Sequence, residues 1–234
     1  PRVSQMSIQD FRHLRYLRQF SRSWPGDHSP ARGPVMPVPN LEVASIVSDG
    51  LARQHLRDDA RAADVVQTAR DLVGLHATGA PNPYLQLLAR IPGFAGSMLD
   101  RELYEQRSLV RVRCMRGTLF ALPLDLLPVA WAATRRLVLN TSASYLASQG
   151  LDTKSYEQWA NRTEALLSTQ ALSAAQLRSA LGAGPQVRLP AVLNQMCDEG
   201  RLLRDRPVAG WRDARHTYRR FAESLPEVML DSCS

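Results

Sequence analysis

Residues 173–221 read SAAQLRSALGAGPQVRLPAVLNQMCDEGRLLRDRPVAGWRDARHTYRRF, and the order of signals inside them decides the fold. Ser173 with Gln176 three positions on is a capping box, in which two side chains satisfy backbone donors that a helix start leaves orphaned. Leu177 and Leu181 give that short helix an apolar face and Gly182 stops it. Pro190 stands in the first turn of a second helix, where its missing N–H costs nothing, and Gly200 falls just past the end. Leu189, Val192, Leu193, Met196 and Cys197 recur at helical spacing, so this face turns to a core. Past Gly200 the character changes: Arg201, Arg204, Arg206, Arg212, Arg215, Arg219 and Arg220 meet only Asp205 and Asp213, seven cations against two anions.

Helix, turn, helix and basic two-stranded ribbon is the order in which a winged helix meets duplex DNA, the second helix in the major groove and the ribbon along the backbone. On this reading Asn194 and Gln195 lie on the polar side of the second helix, where amides read adenine. Arg201, Arg204, Arg206, Arg212, Arg215 and Arg219 are the expected phosphate contacts, standing clear of carboxylates. Trp211 either stacks on a sugar or base or plugs the base of the ribbon.

Working outward, the chain has 234 residues, 44% of them hydrophobic, enough for a packed core. The net charge is +7 from 29 basic and 22 acidic residues, and Lys154 is the one lysine. A GC-rich coding sequence also inflates arginine, so the clustering argues for an anionic partner more strongly than the total does. Cys114, Cys197 and Cys233 are odd in number and lack metal-ligand spacing, which suggests buried thiols in a reducing compartment. There is no run long enough to span a membrane, no signal-peptide pattern, no glycine-rich phosphate loop and no nucleophile elbow. The expectation is a cytoplasmic, monomeric protein that takes double-stranded DNA and no cofactor, metal or nucleotide.

Residues 1–39 are rich in Pro and Arg and read as a flexible segment; Phe11, Leu14 and Leu17 suit one short helix, and Met36 stands where a natural start is expected. Residues 40–150 form a first unit. Leu41, Ala44, Val47 and Leu51 line a helix, Asp64 caps another, Tyr84 to Arg90 makes a third and Ser97 caps a fourth. Val110, Val112 and Cys114 then alternate with Arg111 and Arg113 in a strand, with Gly117 at the turn to its partner. Asp125 opens a long helix that Gly150 ends. Residues 151–226 form a second unit, in which Ser155 and Gln158 are read as a capping box, and 227–234 a tail. Both units run from helices into a short basic β segment, so the fold expected is mainly α with small β wings (α+β), as tandem winged helix-turn-helix units. Arg111, Arg113 and Arg116 either contact phosphates or pair with Asp100, Glu102 and Glu105.

Several blocks together carry a resemblance: Asp71-Leu-Val-Gly-Leu-His-Ala-Thr, Pro83-Tyr-Leu-Gln-Leu-Leu-Ala-Arg-Ile-Pro-Gly-Phe, Ser108-Leu-Val-Arg-Val-Arg-Cys-Met-Arg-Gly-Thr-Leu with Pro123 beyond, and Met196-Cys-Asp-Glu-Gly-Arg-Leu-Leu-Arg. Over roughly residues 40–226 the chain resembles the winged-helix DNA-binding family that includes the AlkZ-type bacterial DNA glycosylases. The resemblance implies tandem winged helices around duplex DNA. It also implies hydrolysis of the N-glycosidic bond of bulky alkylated purines or crosslinks by a Gln-apolar-Gln or Gln-apolar-Asp motif that holds water. His76-Ala77-Thr78 falls at that motif with both polar positions kept and neither residue type. His76 is then the candidate base and Thr78 the group orienting the water. Phe120 stands where relatives commonly have His, and relatives continue past Leu225-Pro226 into a further winged helix.

Three functions remain open on the sequence: duplex-DNA binding in a repair-type protein with an altered motif, an active glycosylase using His76, and a winged-helix regulator or protein-interaction module without chemistry. The competing reading of His76 is a helix-end residue bonded to backbone.

Overall fold

The computed structural model describes residues 42–228 and 230, and every structural statement below concerns these. Met36, the Phe11–Leu17 segment, Leu41 and Cys233 lie outside them. Contacts group these described residues as one unit.

The fold is α+β and winged-helix-like, with short antiparallel sheets set among helices. Helix α1 (Val43–Arg53) comes first, then α2 (Val65–Asp71), whose start is fixed by Asp64 accepting the Gln67 N–H. Strand β1 (Leu75–His76) leads to α3 (Asn82–Leu88), with Pro83 in its first turn, and α4 (Gly96–Asp100), which runs on through a wider turn at Arg101–Glu105. Strands β2 (Leu109–Arg113) and β3 (Leu119–Pro123) follow, then the long α5 (Leu127–Ser148). The second half repeats the plan: α6 (Thr153–Leu166), β4 (Leu172–Ser173), α7 (Ala174–Leu181), α8 (Leu189–Asp198), β5 (Leu202–Pro207), β6 (His216–Arg220) and a last turn, α9 (Phe221–Ser224).

Each half is strand, two helices, strand, strand, and in each the third strand sits in the middle: β1-β3-β2 and β4-β6-β5. The register pairs Leu75 with Ala121, Val112 with Phe120, Leu172 with Tyr218 and Arg204 with Tyr218. The alternation in β2 sorts its side chains. Val110, Val112 and Cys114 join Phe120 and Leu122 in a cluster with Leu203, Phe221 and Leu225, so the two sheets share apolar packing. One core lies under β1–β3, built on Leu75, Leu87, Leu99 and Leu109, and another under β4–β6, built on Leu177, Leu193, Met196 and Leu202. Burying a leucine contributes about 1.5–3 kcal/mol before the cost of ordering it.

The turn between β2 and β3 is tight because two consecutive residues, Arg116 and Gly117, take positive φ. At Gly74, with φ +102°, a Cβ would sit 2.5 Å from a Leu122 methyl, so the chain enters β1 where a side chain has no room.

Some local expectations are corrected. Residue 155 does not open a helix: Asp152 caps α6 by accepting the Ser155 N–H at 2.7 Å. Helix α4 begins at Gly96, ahead of Ser97. Helix α1 buries none of its residues, and Val47 and Leu51 are exposed among the described residues. The largest correction concerns α8. Its polar side is not free, because it is wedged between α5 and the strands β2 and β5 and buries eight of its ten residues, Gln195 included.

Candidate nucleic-acid interface

The ribbon β5–β6 does not hold its arginines clear of carboxylates. Arg201 reaches Glu164 at 2.9 Å and Glu157 at 3.0 Å on α6, and this acid pair holds its guanidinium above the ordinary arginine range. Arg219 and Arg107 share Asp205, at 2.7 and 2.9 Å; the side chain of Asp205 is 4% exposed, so it is a buried anchor that clasps the ribbon onto the first half. Arg206 pairs with Glu105 at 3.3 Å and lies over the Tyr104 ring, and Arg215 pairs with Asp213 at 2.9 Å. Both of these guanidiniums are more than half exposed, and surface pairs of this kind are worth ~0–1 kcal/mol, so a phosphate can displace the carboxylate.

Arg212 is different. It is exposed, stacks 4.7 Å over Trp211 and meets no carboxylate among the described residues. Trp211 is half-buried and, instead of closing the ribbon's own base, leans on Tyr84 of α3, ring centroids 5.3 Å apart. The tip of the second ribbon is therefore held against the first half. In the β2–β3 turn Arg116 is likewise exposed, without an acidic partner among the described residues.

Arg111 and Arg113 point inward. Arg113 donates to Asp198 at 2.6 Å and to the Gly117 carbonyl, while the Arg111 Nε is buried without a partner. Neither pairs with Asp100, Glu102 or Glu105. Arg204 is buried and donates to Asn194 at 2.9 Å, and Gln195 turns its amide to Glu199 at 2.7 Å. Arg204 thus takes up the Asn194 side-chain oxygen, and Gln195 is buried with its amide nitrogen on Glu199.

Arg113, Arg204, Asn194 and Thr78 meet at an open cleft of about 480 Å³ between the β2–β3 turn, α5, α8 and β6. His216 and Tyr145 line it too. Burial pushes the Asp198 carboxyl up, while Arg204 and Arg113 pull it down. Burial also drives His216 down to about 4, with Arg204 and Arg111 adding to the effect, so its imidazole is neutral near pH 7. Nothing in the sequence marked His216 or Tyr145, because the cleft joins elements far apart in the chain.

His76 is on strand β1 and not at a helix end. Its backbone is clasped by Gln86, which donates to the His76 carbonyl at 2.8 Å, and its ring meets Phe120 edge-on at 5.5 Å. The ring nitrogens face Asn82, at 3.3 Å from Nδ1, and Thr78, at 3.2 Å from Nε2. Thr78 also accepts the Leu119 N–H at 3.2 Å. If the Asn82 amide donates to Nδ1, then Nε2 carries the proton and donates to Thr78, whose own hydroxyl proton is left for the cleft. His76 and Thr78 thus form a dyad at the rim of the cleft, the histidine behind and the threonine in front. Among the described residues no three His, Cys, Asp or Glu gather as a metal site, and no helix is long and apolar enough to cross a membrane.

A family model described as DNA glycosylase AlkZ-like matches residues 69–232. The chain belongs to the AlkZ-like family. The match begins later and runs further than the 40–226 expected from the sequence blocks. Among solved structures the AlkZ-like chain is similar to Streptomyces sahachiroi DNA glycosylase AlkZ, with a TM-score of 0.56 and 18% identity over 74% of this chain. That likeness is one of fold. The match spans 48% of the Streptomyces chain, about half its length. No curated protein matches the chain.

Proposed function

We propose that this AlkZ-like chain binds double-stranded DNA in a repair role, gripping phosphates with arginines at the tips of its two ribbons. The observation that carries the reading is the pairing of Arg116 and Arg212: each winged half presents, at its β-turn, an exposed guanidinium without a carboxylate partner among the described residues. Arg206 and Arg215 join them by exchanging weak surface pairs for phosphates. Arg113, Arg201, Arg204 and Arg219 hold the fold and leave the interface, and Asn194 and Gln195 do not read bases. A helix buried like α8 cannot enter a major groove, so binding is through the backbone and depends little on sequence. Affinity for a labelled duplex, followed by fluorescence anisotropy, is expected to fall steeply with salt, each phosphate contact contributing about −0.9 to the logarithmic slope. An affinity indifferent to salt would favour the protein-interaction reading.

The His76–Thr78 dyad favours a second reading, hydrolysis of an N-glycosidic bond. Thr78 would hold the attacking water and His76 would set the hydroxyl's direction. As a base His76 would first have to release Asn82 or Thr78, since both ring nitrogens are engaged.

A further inference from the structure

Asn82, the first residue of α3, brings its amide nitrogen to 3.3 Å from the His76 Nδ1. Gly79 makes this approach possible, because a Cβ there would lie 2.9 Å from the Asn82 side-chain oxygen. Gln86 fixes both partners at once: it donates to the His76 carbonyl at 2.8 Å and to the Asn82 carbonyl at 3.1 Å. Phe120 meets the ring edge-on from another side. The His76 tautomer is therefore set from behind. An amide nitrogen donates and cannot accept, so Nδ1 is the lone-pair side of the neutral ring and Nε2 carries the proton.

The consequence falls on Thr78. Its oxygen lies 3.2 Å from the His76 Nε2 and 3.2 Å from the Leu119 nitrogen. A hydroxyl has two acceptor lone pairs and one proton. The imidazole N–H and the Leu119 N–H fill the lone pairs, and the hydroxyl proton is left to point away from both. Thr78 is exposed, and Leu119 leads out of the β2–β3 turn that carries exposed Arg116. A hydroxyl with no lone pair to spare cannot take a proton from water. It can bind an acceptor, and the acceptor that duplex DNA offers to a side-chain hydroxyl beside an arginine is a phosphate oxygen.

We propose that Asn82 locks the His76–Thr78 dyad as a hydrogen-bond donor, so that Thr78 gives its proton to a backbone phosphate of the duplex at the Arg116 ribbon tip. Asn82 is the positioning residue and Thr78 the contact. The contact rests on the DNA-binding reading and adds an uncharged group to it, whereas the placement of the ring proton is independent of that reading.

Nitrogen-15 spectra of the imidazole, taken on the full chain without DNA at mildly alkaline pH and assigned with His76→Ala, locate the proton. The wild type should carry it on Nε2. Asn82→Asp, whose carboxylate accepts, should move it to Nδ1, and Gly79→Ala, which crowds the amide aside, should leave it divided between the two nitrogens. Anisotropy with a labelled duplex then reads the contact. Thr78→Val should weaken binding about tenfold, the size of a hydrogen bond to a charged oxygen, at an unchanged salt slope, because a hydroxyl displaces no counterion. Thr78→Ser should restore the affinity, while Arg116→Ala flattens the slope. A proton on Nδ1 in the wild type, or one still on Nε2 in Asn82→Asp, overturns the lock. Thr78→Val binding as tightly as the wild type overturns the contact and leaves the ribbon-tip reading standing. A wild type without affinity for the duplex removes both.

Discussion

The His216 ring offers a measurable consequence of the cationic cleft between the β2–β3 turn, α5, α8 and β6. Burial, with Arg204 and Arg111 close by, lowers its pKa from 6.5 to about 4, while its Nδ1 faces the Ala214 carbonyl at 3.1 Å. The folded protein therefore holds the His216 proton less tightly than the unfolded chain does. Stability is full above the unfolded value of 6.5, falls as pH drops from there toward 4, and levels off below. Every tenfold loss of proton affinity is worth ~1.4 kcal/mol, so the full drop would amount to about 3 kcal/mol; the ring is only partly enclosed, and solvent screening leaves about 2. Urea unfolding of wild type and His216→Phe at a series of pH values from neutral down toward the folded-state pKa isolates the effect. Phenylalanine keeps a ring beside Tyr218, which lies 4.8 Å away, and cannot titrate. The variant loses the bond to Ala214, a fixed offset of ~1 kcal/mol. Across that pH range the wild type should then lose about 2 kcal/mol more than the variant. Parallel curves would refute the depressed pKa and with it the desolvated, cationic setting of the ring.

Two other outcomes follow from the geometry. Asp205→Ala leaves Arg107 and Arg219 without their shared buried carboxylate and should cost about 3 kcal/mol by urea unfolding, lowering Tm more than any exposed ribbon change does. Incubation with alkylated duplex should yield abasic sites if the His76–Thr78 dyad works on a glycosidic bond, and His76→Ala should then cut the rate about 10²-fold or more; release unaffected by that change would place the chemistry elsewhere.

Much of the second half was legible because its signals are local. The Ser173–Gln176 box, Pro190 in the first turn of α8 and Gly182 and Gly200 after the helices all act within a few residues, and the structure has them as read. The β2–β3 hairpin was legible from the alternation of Val110, Val112 and Cys114 with Arg111 and Arg113. Strands β1 and β4 were not, since two residues are too few for any alternation to appear. The fate of the arginines was the least legible. Composition counts Asp205 and Asp213 as the ribbon's acids, but the partners of Arg201 and Arg206 come from Glu157, Glu164 and Glu105, up to about a hundred residues away. Charge clustering in sequence shows where cations are made, and only tertiary packing shows which of them stay free. The same holds for α8, whose polar residues become internal once α5 covers them.

The most direct measurement is the salt dependence of duplex binding for the Arg116→Ala, Arg212→Ala double variant beside the wild type. Removing two tip contacts should flatten the logarithmic slope by about two, with only a small fall in Tm, since neither side chain is paired with a carboxylate among the described residues and Arg212 gives up only its exposed stack on Trp211. A slope identical to the wild type's would contradict the claim that the ribbon tips hold the DNA backbone.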